Sequence, residues 1–543
     1  MATSIRLRPW QRTALESFTT LDRPDFLAVA TPGAGKTTFA LTAAAQSLAE
    51  RATSTVIVVA PTQHLKLQWS EAASRLGLHL DPSWSARDGA LPVDMHGIVT
   101  TYQQVATSAD ALRPLARNAF VILDEVHHAG DDRAWGEAIL AAFEGATRRL
   151  SLSGTPFRSD TSAIPFVDYH IDEARPDFEY GYGDALADGG VVRPVFFPRI
   201  GGHMEWVAPD GAEVAASFTD DLTTQLANQR LRTALSLEGE WLTAVLTDAN
   251  AQLTNIRRTH PDAAGLVIAM DQEHAAGIAR LLERRFGASA TVAVSDDPMA
   301  SAKIARFARG SDQWIVAVRM VSEGVDIPRL RLGVFATNTT TELFFRQAVG
   351  RFVRWTRGIR GQKAFLYIPD DPRLRQWAHG IAEQRRHSLA KRQRDEDAYP
   401  ERDPMDQQTP LGDEEQMSLF SVISAVATGD HEETSSVFDD DDDDWEGHSE
   451  HEGYEISLAV PPPPGATTAA RSGETALTRR QLKTRLRDQN SAAVRELVRF
   501  TNLDHRGVNA ELNRLSGITR VTEATIDELQ RRLDAANRWL RPR

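Results

Sequence analysis

Short apolar runs recur through the first third of the chain, at residues 26–30, 56–60, 97–99 and 120–123, and Arg149-Leu150-Ser151-Leu152-Ser153 reads as a further strand. Each is too short for a buried helix and rich in Val, Ile, Leu and Phe, as expected of parallel strands buried on both faces. The stretches between them read as helices. Residues 13–18 form an apolar-polar segment, residues 38–45 are Ala-rich with good helix propensity, and the segment reaching Trp69 follows a strand-ending Pro61-Thr62. The same alternation returns with apolar runs at 265–270 and 314–318. Strands alternating with helices predict an α/β protein, and the interruption between the two sets predicts two such domains. Residues 180–189 and 191–197 read as a helix and a strand joining them. Residues 217–258 read as largely helical and lead into the second.

Beyond residue 370 the pattern changes. A basic helical stretch to about residue 394 gives way to an acidic one. Residues 401–455 carry a net charge of −18, including six consecutive aspartates from Asp439 to Asp444, and leave the rest of the chain at +4 against an overall −14. This composition cannot bury a core and predicts a disordered linker, its Asp run a solvated and mutually repelling tract. Pro461-Pro462-Pro463-Pro464-Gly465 reads as a stiff spacer. Regular patterning resumes near Thr478. Helices are expected over 479–487, 492–500, 507–515 and 525–540, the last with Thr525 and Glu528 at capping-box spacing. Residues 471–543 carry +7, which suits either a small DNA-binding module or a helical docking or oligomerisation domain.

At 543 residues the chain has room for several domains. It has no cysteine, which excludes disulfides and thiolate metal sites and fits a reducing cytoplasm. Residues 1–10 lack the apolar core of a signal peptide, and no apolar run approaches the ~18 residues of a membrane span.

Candidate chemistry gathers where the runs end. After the first comes Thr31-Pro32-Gly33-Ala34-Gly35-Lys36-Thr37, then Thr38 at the start of the Ala-rich helix. Strand, glycine loop and helix form the setting of a phosphate-binding loop. Gly33 and Gly35 let backbone N–H groups close on an anion, Lys36 reaches the β- and γ-phosphates, and the Thr37 hydroxyl can ligate Mg²⁺. Ala30 occupies a position where this motif ordinarily begins with Gly. Upstream, Leu7-Arg8-Pro9-Trp10-Gln11 offers Gln11, whose amide can donate to and accept from an adenine edge at once. The run ending at Leu123 is followed by Asp124-Glu125-Val126-His127. Asp124 is placed to hold Mg²⁺ and Glu125 to polarise an attacking water. Thr62, Thr100 and Thr101 close two further strands, where their hydroxyls can meet a phosphate backbone or cap the helices that follow.

Taken with Ser153-Gly154-Thr155, these segments resemble the DExH-type superfamily 2 helicases and translocases, in the branch of restriction-enzyme translocating subunits and XPB-like helicases. Here Asp-Glu-Val-His stands for motif II, and Ser-Gly-Thr stands where Ser-Ala-Thr is commoner. Downstream, Val321-Ser322-Glu323-Gly324-Val325-Asp326 resembles motif V, and Gln347-Ala348-Val349-Gly350-Arg351-Phe352-Val353-Arg354 resembles motif VI. The resemblance spans about residues 5–369. It implies two tandem RecA-like P-loop domains at 1–165 and 236–375 with a connecting segment at 166–235. The linker (376–470) and a basic all-α domain (471–543) follow. It also implies ATP and Mg²⁺ as cofactors, with nucleotide contacts from Gly324 and Asp326, and catalytic roles for Gln347, Arg351 and Arg354 beside Lys36, Asp124 and Glu125. The track it implies is nucleic acid, DNA more than RNA, gripped at Thr62, Thr100 and Thr101. Within the acidic stretch, Gln416-Met417-Ser418-Leu419-Phe420 resembles the peptide that docks on bacterial sliding clamps, Gln416, Leu419 and Phe420 being the contact residues. A docking helix continuing to Val426 is the other reading.

Overall fold

The computed structural model describes residues 3–130, 133–155, 164–170, 173–208, 211–294, 297, 299–318, 327–356, 358–359, 361–398, 454–463, 479–501, 503–518, 521 and 524–540. The chain forms two compact units. One comprises Met1–Val29, Gly35–Glu179 and Gly453–Arg543, the other Ala30–Ala34 and Tyr180–Glu452.

In chain order the first unit begins with β1 (Thr3–Leu7), α1 (Pro9–Thr20), β2 (Asp25–Ala30), α2 (Lys36–Ala49), β3 (Thr55–Ala60) and α3 (Gln63–Arg75). It continues through β4 (Leu80–Asp81), β5 (Gly97–Thr101), α4 (Tyr102–Ala116), β6 (Ala119–Leu123), α5 (Arg133–Phe143) and β7 (Arg148–Ser153). A small antiparallel pair, β8 (Tyr169–His170) and β9 (Glu173–Ala174), precedes β10 (Phe178–Tyr180). The main sheet has the order β10-β2-β7-β6-β3-β5-β4. Its β2/β7, β7/β6, β6/β3, β3/β5 and β5/β4 pairings are parallel. β2, β3 and β6 are buried along almost their whole length, which is why they read as apolar runs. Leu27, Val29, Ile57, Val59, Val121 and Leu123 pack one core with the helical residues Tyr102, Val105 and Phe143. Parallel strands end at one edge of the sheet. The C-terminal ends of β2, β3, β5 and β6, with the loops after them, therefore collect there.

The second unit holds α6 (Tyr182–Ala187), β11 (Val195–Phe196), β12 (Arg199–Ile200) and an antiparallel hairpin of β13 (His203–Val207) and β14 (Glu213–Ser217). Then come α7 (Thr224–Ala234), α8 (Glu240–Thr259), β15 (Ala264–Ala269), α9 (Gln272–Phe286), β16 (Ala290–Ala293), α10 (Ala300–Arg309) and β17 (Trp314–Val318). It closes with β18 (Leu330–Ala336), α11 (Glu342–Val349), β19 (Ala364–Pro369) and α12 (Pro372–Ala398). Its sheet runs β11-β19-β18-β15-β17-β16, with β12 also on β19, and its pairings are parallel. Val267, Val316, Val334 and Trp314 pack against Leu242, Leu246 and Leu253 of α8. Two parallel, helix-covered sheets of this kind are RecA-like α/β domains.

The chain then returns to the first unit. β20 (Tyr454–Leu458) pairs antiparallel with β1, and three helices follow: α13 (Arg479–Phe500), α14 (His505–Ser516) and α15 (Ile526–Leu540). Two features depart from the sequence expectations. The span expected as linker contains, among the described residues, the last part of α12 and the strand β20. The helices expected over 479–487 and 492–500 are one continuous helix. Asn490, in the polar stretch between them, is buried. Its amide donates to Leu486 O and Leu529 O, and its side-chain oxygen accepts from Arg532. The expected capping box is present: Glu528 N–H donates to Thr525 Oγ1, and Thr525 N–H to Glu528 Oε2.

Candidate active site

β2 ends at Ala30, and the glycine loop turns the chain into α2. Ala34 N–H closes the turn on Thr31 O at 3.1 Å. Gly35 has φ +101°, and a Cβ there would lie 2.6 Å from Gln11 Nε2, so this position requires glycine. Gly35 O receives both Phe39 N–H, opening the helix, and Gln11 Nε2 at 2.9 Å. Gln11 is itself buried, and its Oε1 accepts Arg8 N–H at 2.8 Å. The glutamine offered above for adenine thus bridges the start of α1 to the end of the phosphate loop. Lys36, Thr37 and Thr38 form the first turn of α2, where the backbone N–H groups and the helix dipole favour an anion.

Lys36 Nζ stands 3.4 Å from Glu125 Oε1. Glu125 occupies the left-handed region with φ +48°, uncommon for a residue with a side chain. Its Oε2 accepts Gly154 N–H at 3.0 Å and lies 3.7 Å from His127 Nδ1. The Ser-Gly-Thr segment thereby supports the acidic pair directly. Asp124, at the end of β6, is 8 % exposed and donates its N–H to Val59 O. Its Oδ2 accepts the Trp69 indole N–H at 2.7 Å, and its backbone carbonyl accepts the Tyr102 hydroxyl at 2.8 Å.

The environments of the two carboxyls differ. Burial, and next the charge of Glu125, push Asp124 above the usual carboxylate range against the pull of the Trp69 N–H and Lys36. Burial acts the same way on Glu125, but Lys36, His127 and the Gly154 N–H together outweigh it and hold Glu125 well below its ordinary value. Adjacent carboxyls pushed in opposite directions are fitted for different tasks. The donor set suits Mg²⁺. Among the described residues no three His, Cys, Asp or Glu side chains cluster as a metal cage. A buried carboxylate near Lys36, at the start of α2, suits an ion that takes its other ligands from phosphate and water. Asp124 and the Thr37 hydroxyl are the groups that would hold it.

In the second unit α11 carries Gln347, and Arg351 and Arg354 follow its end. Phe352 and Val353 are buried and anchor this turn. Arg193 N–H donates to Val353 O at 2.8 Å, and the backbones of Val192 and Arg354 form an antiparallel bridge. The fully buried Arg193 side chain donates to Pro328 O, Leu330 O and Thr356 Oγ1. The same compact unit includes Ala30–Ala34. A Cβ at Gly33 would be 3.2 Å from Arg354 Cδ, and one at Gly350 would be 2.7 Å from Pro32 Cγ.

Thr62 and Thr101 are helix caps, their hydroxyls accepting Leu65 N–H at 3.3 Å and Gln104 N–H at 3.2 Å. Thr100 is wholly buried in β5, and its hydroxyl has no hydrogen-bond partner among the described residues. Exposed polar groups at the starts of these helices are instead Gln63, His64 and Gln103. Gly324, Asp326, Gln416, Leu419 and Phe420 lie outside the described residues. Sequence reading missed Trp69, Tyr102 and His127 as members of the site. For His127 the signal was its place in the Asp-Glu-Val-His run, whereas Trp69 and Tyr102 carried none. Among the described residues, no helix is long and apolar enough to cross a membrane.

Residues 4–158 match the family described as Type III restriction enzyme, res subunit. The chain is 41% identical over 561 residues to Uncharacterized protein MT2985 of Mycobacterium tuberculosis (strain CDC 1551 / Oshkosh), covering 97% of this chain and 92% of that one. It is 39% identical over 562 residues to Uncharacterized protein ML1624 of Mycobacterium leprae (strain TN), covering 97% and 93%. Among solved structures it is similar to the ATP-dependent Type ISP restriction-modification enzyme LlaBIII bound to DNA. That match has 16% identity and a TM-score of 0.46, and covers 71% of this chain and 30% of that one.

Proposed function

The chain belongs to one family with the two mycobacterial proteins, and from the match of its residues 4–158 we propose that it is an ATP-dependent superfamily 2 helicase or translocase acting on DNA. The observation that carries the reading is the placement of Lys36, the first residue of α2, beside Glu125 and near Asp124. Lys36 is 3.4 Å from a carboxylate held ionised, and the neighbouring carboxylate is buried and fixed by an indole N–H. Nucleotide binds with its phosphates over Gly33, Gly35, Lys36 and Thr37 and its adenine toward Gln11. Thr37 and Asp124 would hold Mg²⁺, which would supply charge neutralisation at the phosphates. Glu125 accepts a hydrogen bond from the attacking water and draws off its proton. Arg351 and Arg354 stabilise charge developing on the γ-phosphate, with Gln347, Gly324 and Asp326 completing the set. DNA lies over the starts of α3 and α4, where Thr62 and Thr101 cap the helices.

A second reading is favoured by the family description of residues 4–158. In it, the chain is the motor of a restriction or phage-defence complex whose nuclease is a separate partner. An ATP-switched clamp that grips DNA without unwinding it is the remaining rival. The deciding measurement is steady-state ATP hydrolysis without nucleic acid and with single-stranded DNA, duplex DNA or RNA, beside Lys36→Ala. The expected result is strong stimulation by DNA that Lys36→Ala abolishes. Hydrolysis indifferent to all four conditions would overturn the motor reading.

A further inference from the structure

The helices that start where the nucleic acid is placed both end their reach on one residue of the ATP site. α3 is capped by Thr62 and α4 by Thr101. Their first turns are tied together by Lys66, whose Nζ donates to Gln104 Oε1 at 2.9 Å. Seven residues on from Thr62, about 10 Å along the helix axis, Trp69 donates to the Asp124 carboxylate at 2.7 Å. Tyr102, the first residue of α4, donates to the Asp124 carbonyl at 2.8 Å. Trp69 is 2 % exposed and Tyr102 is fully buried. Close-packed side chains transmit strain, so a displacement of either helix bears on the atom its ring holds. The two bonds grip different parts of Asp124. The indole orients the carboxylate that would hold the cation, and the phenol fixes the backbone from which that carboxylate projects.

We propose that Trp69 and Tyr102 are positioning residues that couple nucleic-acid binding at the starts of α3 and α4 to the orientation of Asp124. Occupancy of one site is thereby felt at the other. This rests on the ATP-dependent DNA motor reading above. Such a coupling is reciprocal: if DNA improves the site for Mg²⁺ and nucleotide, nucleotide changes DNA affinity by the same factor. A chain of hydrogen bonds is by itself only a route, and the coupling free energy has to be measured.

The test uses the full chain and a fluorescein-labelled duplex DNA. Its Kd is measured with and without saturating Mg²⁺ and a non-hydrolysable ATP analogue, for wild type, Trp69→Phe, Tyr102→Phe and the double variant. Tyr102→Phe keeps the ring and deletes only the hydroxyl donor, whereas Trp69→Phe deletes the N–H donor and leaves a smaller aromatic ring in its place. The wild-type Kd should change by about five-fold or more on adding nucleotide, the lower end of ordinary allosteric coupling. Each single variant should reduce that ratio and the double variant should bring it below about two-fold. A merely structural defect would weaken both Kd values together and preserve the ratio. A wild-type ratio retained in the double variant overturns the proposal, as does DNA binding by wild type with a ratio of one. If the double variant fails to fold, the two single variants decide by the same criterion. Absence of any DNA binding by wild type is the distinct failure of the motor reading itself.

Discussion

Gly35 and Gln11 make a pair whose energetic coupling can be predicted from the geometry of the loop. Gln11→Ala removes two part-buried hydrogen bonds, to Arg8 N–H at 2.8 Å and to Gly35 O at 2.9 Å. At about 1 kcal/mol net for each, the loss is about 2 kcal/mol. Gly35→Ala puts a side chain at φ +101°, which costs roughly 1–2 kcal/mol for the left-handed backbone. Its Cβ would also sit 2.6 Å from Gln11 Nε2. The amide must then release Gly35 O, a further loss of about 1 kcal/mol. In a Gln11→Ala background there is nothing to displace and only the backbone cost remains. The double variant should therefore be less destabilised than the sum of the singles by about 1 kcal/mol. Urea unfolding of the four proteins measures this, read on the transition that Gln11→Ala itself shifts. Costs that add to within about 0.5 kcal/mol, as for independent sites, would refute the reasoning. Nucleotide binding separates the two roles of the pair. Gly35→Ala distorts the phosphate cradle and should weaken ATP and GTP alike, whereas Gln11→Ala should erase a preference for ATP over GTP if the amide also reads adenine.

Two other perturbations have outcomes fixed by the same structure. Glu125→Gln keeps the shape of the side chain but loses the charge that Lys36 and His127 hold in place. ATP turnover should fall about 10²–10⁴-fold, the span of general-base contributions, while nucleotide affinity changes little, as rapid-quench single-turnover kinetics beside equilibrium binding would show. Lys66 is buried, and desolvation lowers its pKa from the ordinary 10.5 to about 8. Between those values the unfolded chain carries a proton that the folded chain does not. Stability relative to Lys66→Met should therefore rise with pH across that window, by about 1.4 kcal/mol per unit at most, and be lost as pH falls through about 8. Chemical denaturation at stepped pH would expose an error in this assignment as a flat difference between the two proteins.

What the chain revealed before its structure, and what it withheld, divides along sequence distance. The places of the glycine loop and the Asp124-Glu125 pair in the fold were legible because both are contiguous residues following an apolar strand, and local backbone geometry does the positioning. Trp69 was not, because its hydrogen bond to Asp124 spans 55 positions and an indole in a helix looks the same whether it fills a core or orients a carboxylate. The threonines show a different limit. A hydroxyl at a strand end followed by a helix is equally a cap and a ligand for phosphate, and Thr62 and Thr101 are observed as caps. At β20 the signal was present but outweighed. Tyr454, Ile456 and Leu458 alternate with Glu455 and Ser457, a period of two that fits an edge strand, and the acidic average of the surrounding residues concealed it. The merged helix α13 carries the sharpest case. The polar residues around Asn490 read as a break because local propensity was the only guide. In the structure Asn490 is the acceptor for a buried arginine, Arg532, whose other nitrogens donate to Asn509 and Asn513 of α14. A guanidinium held among three amide oxygens from two helices needs all three partners in place at once, so the residue that locally weakens α13 is the one that fixes how α13, α14 and α15 pack.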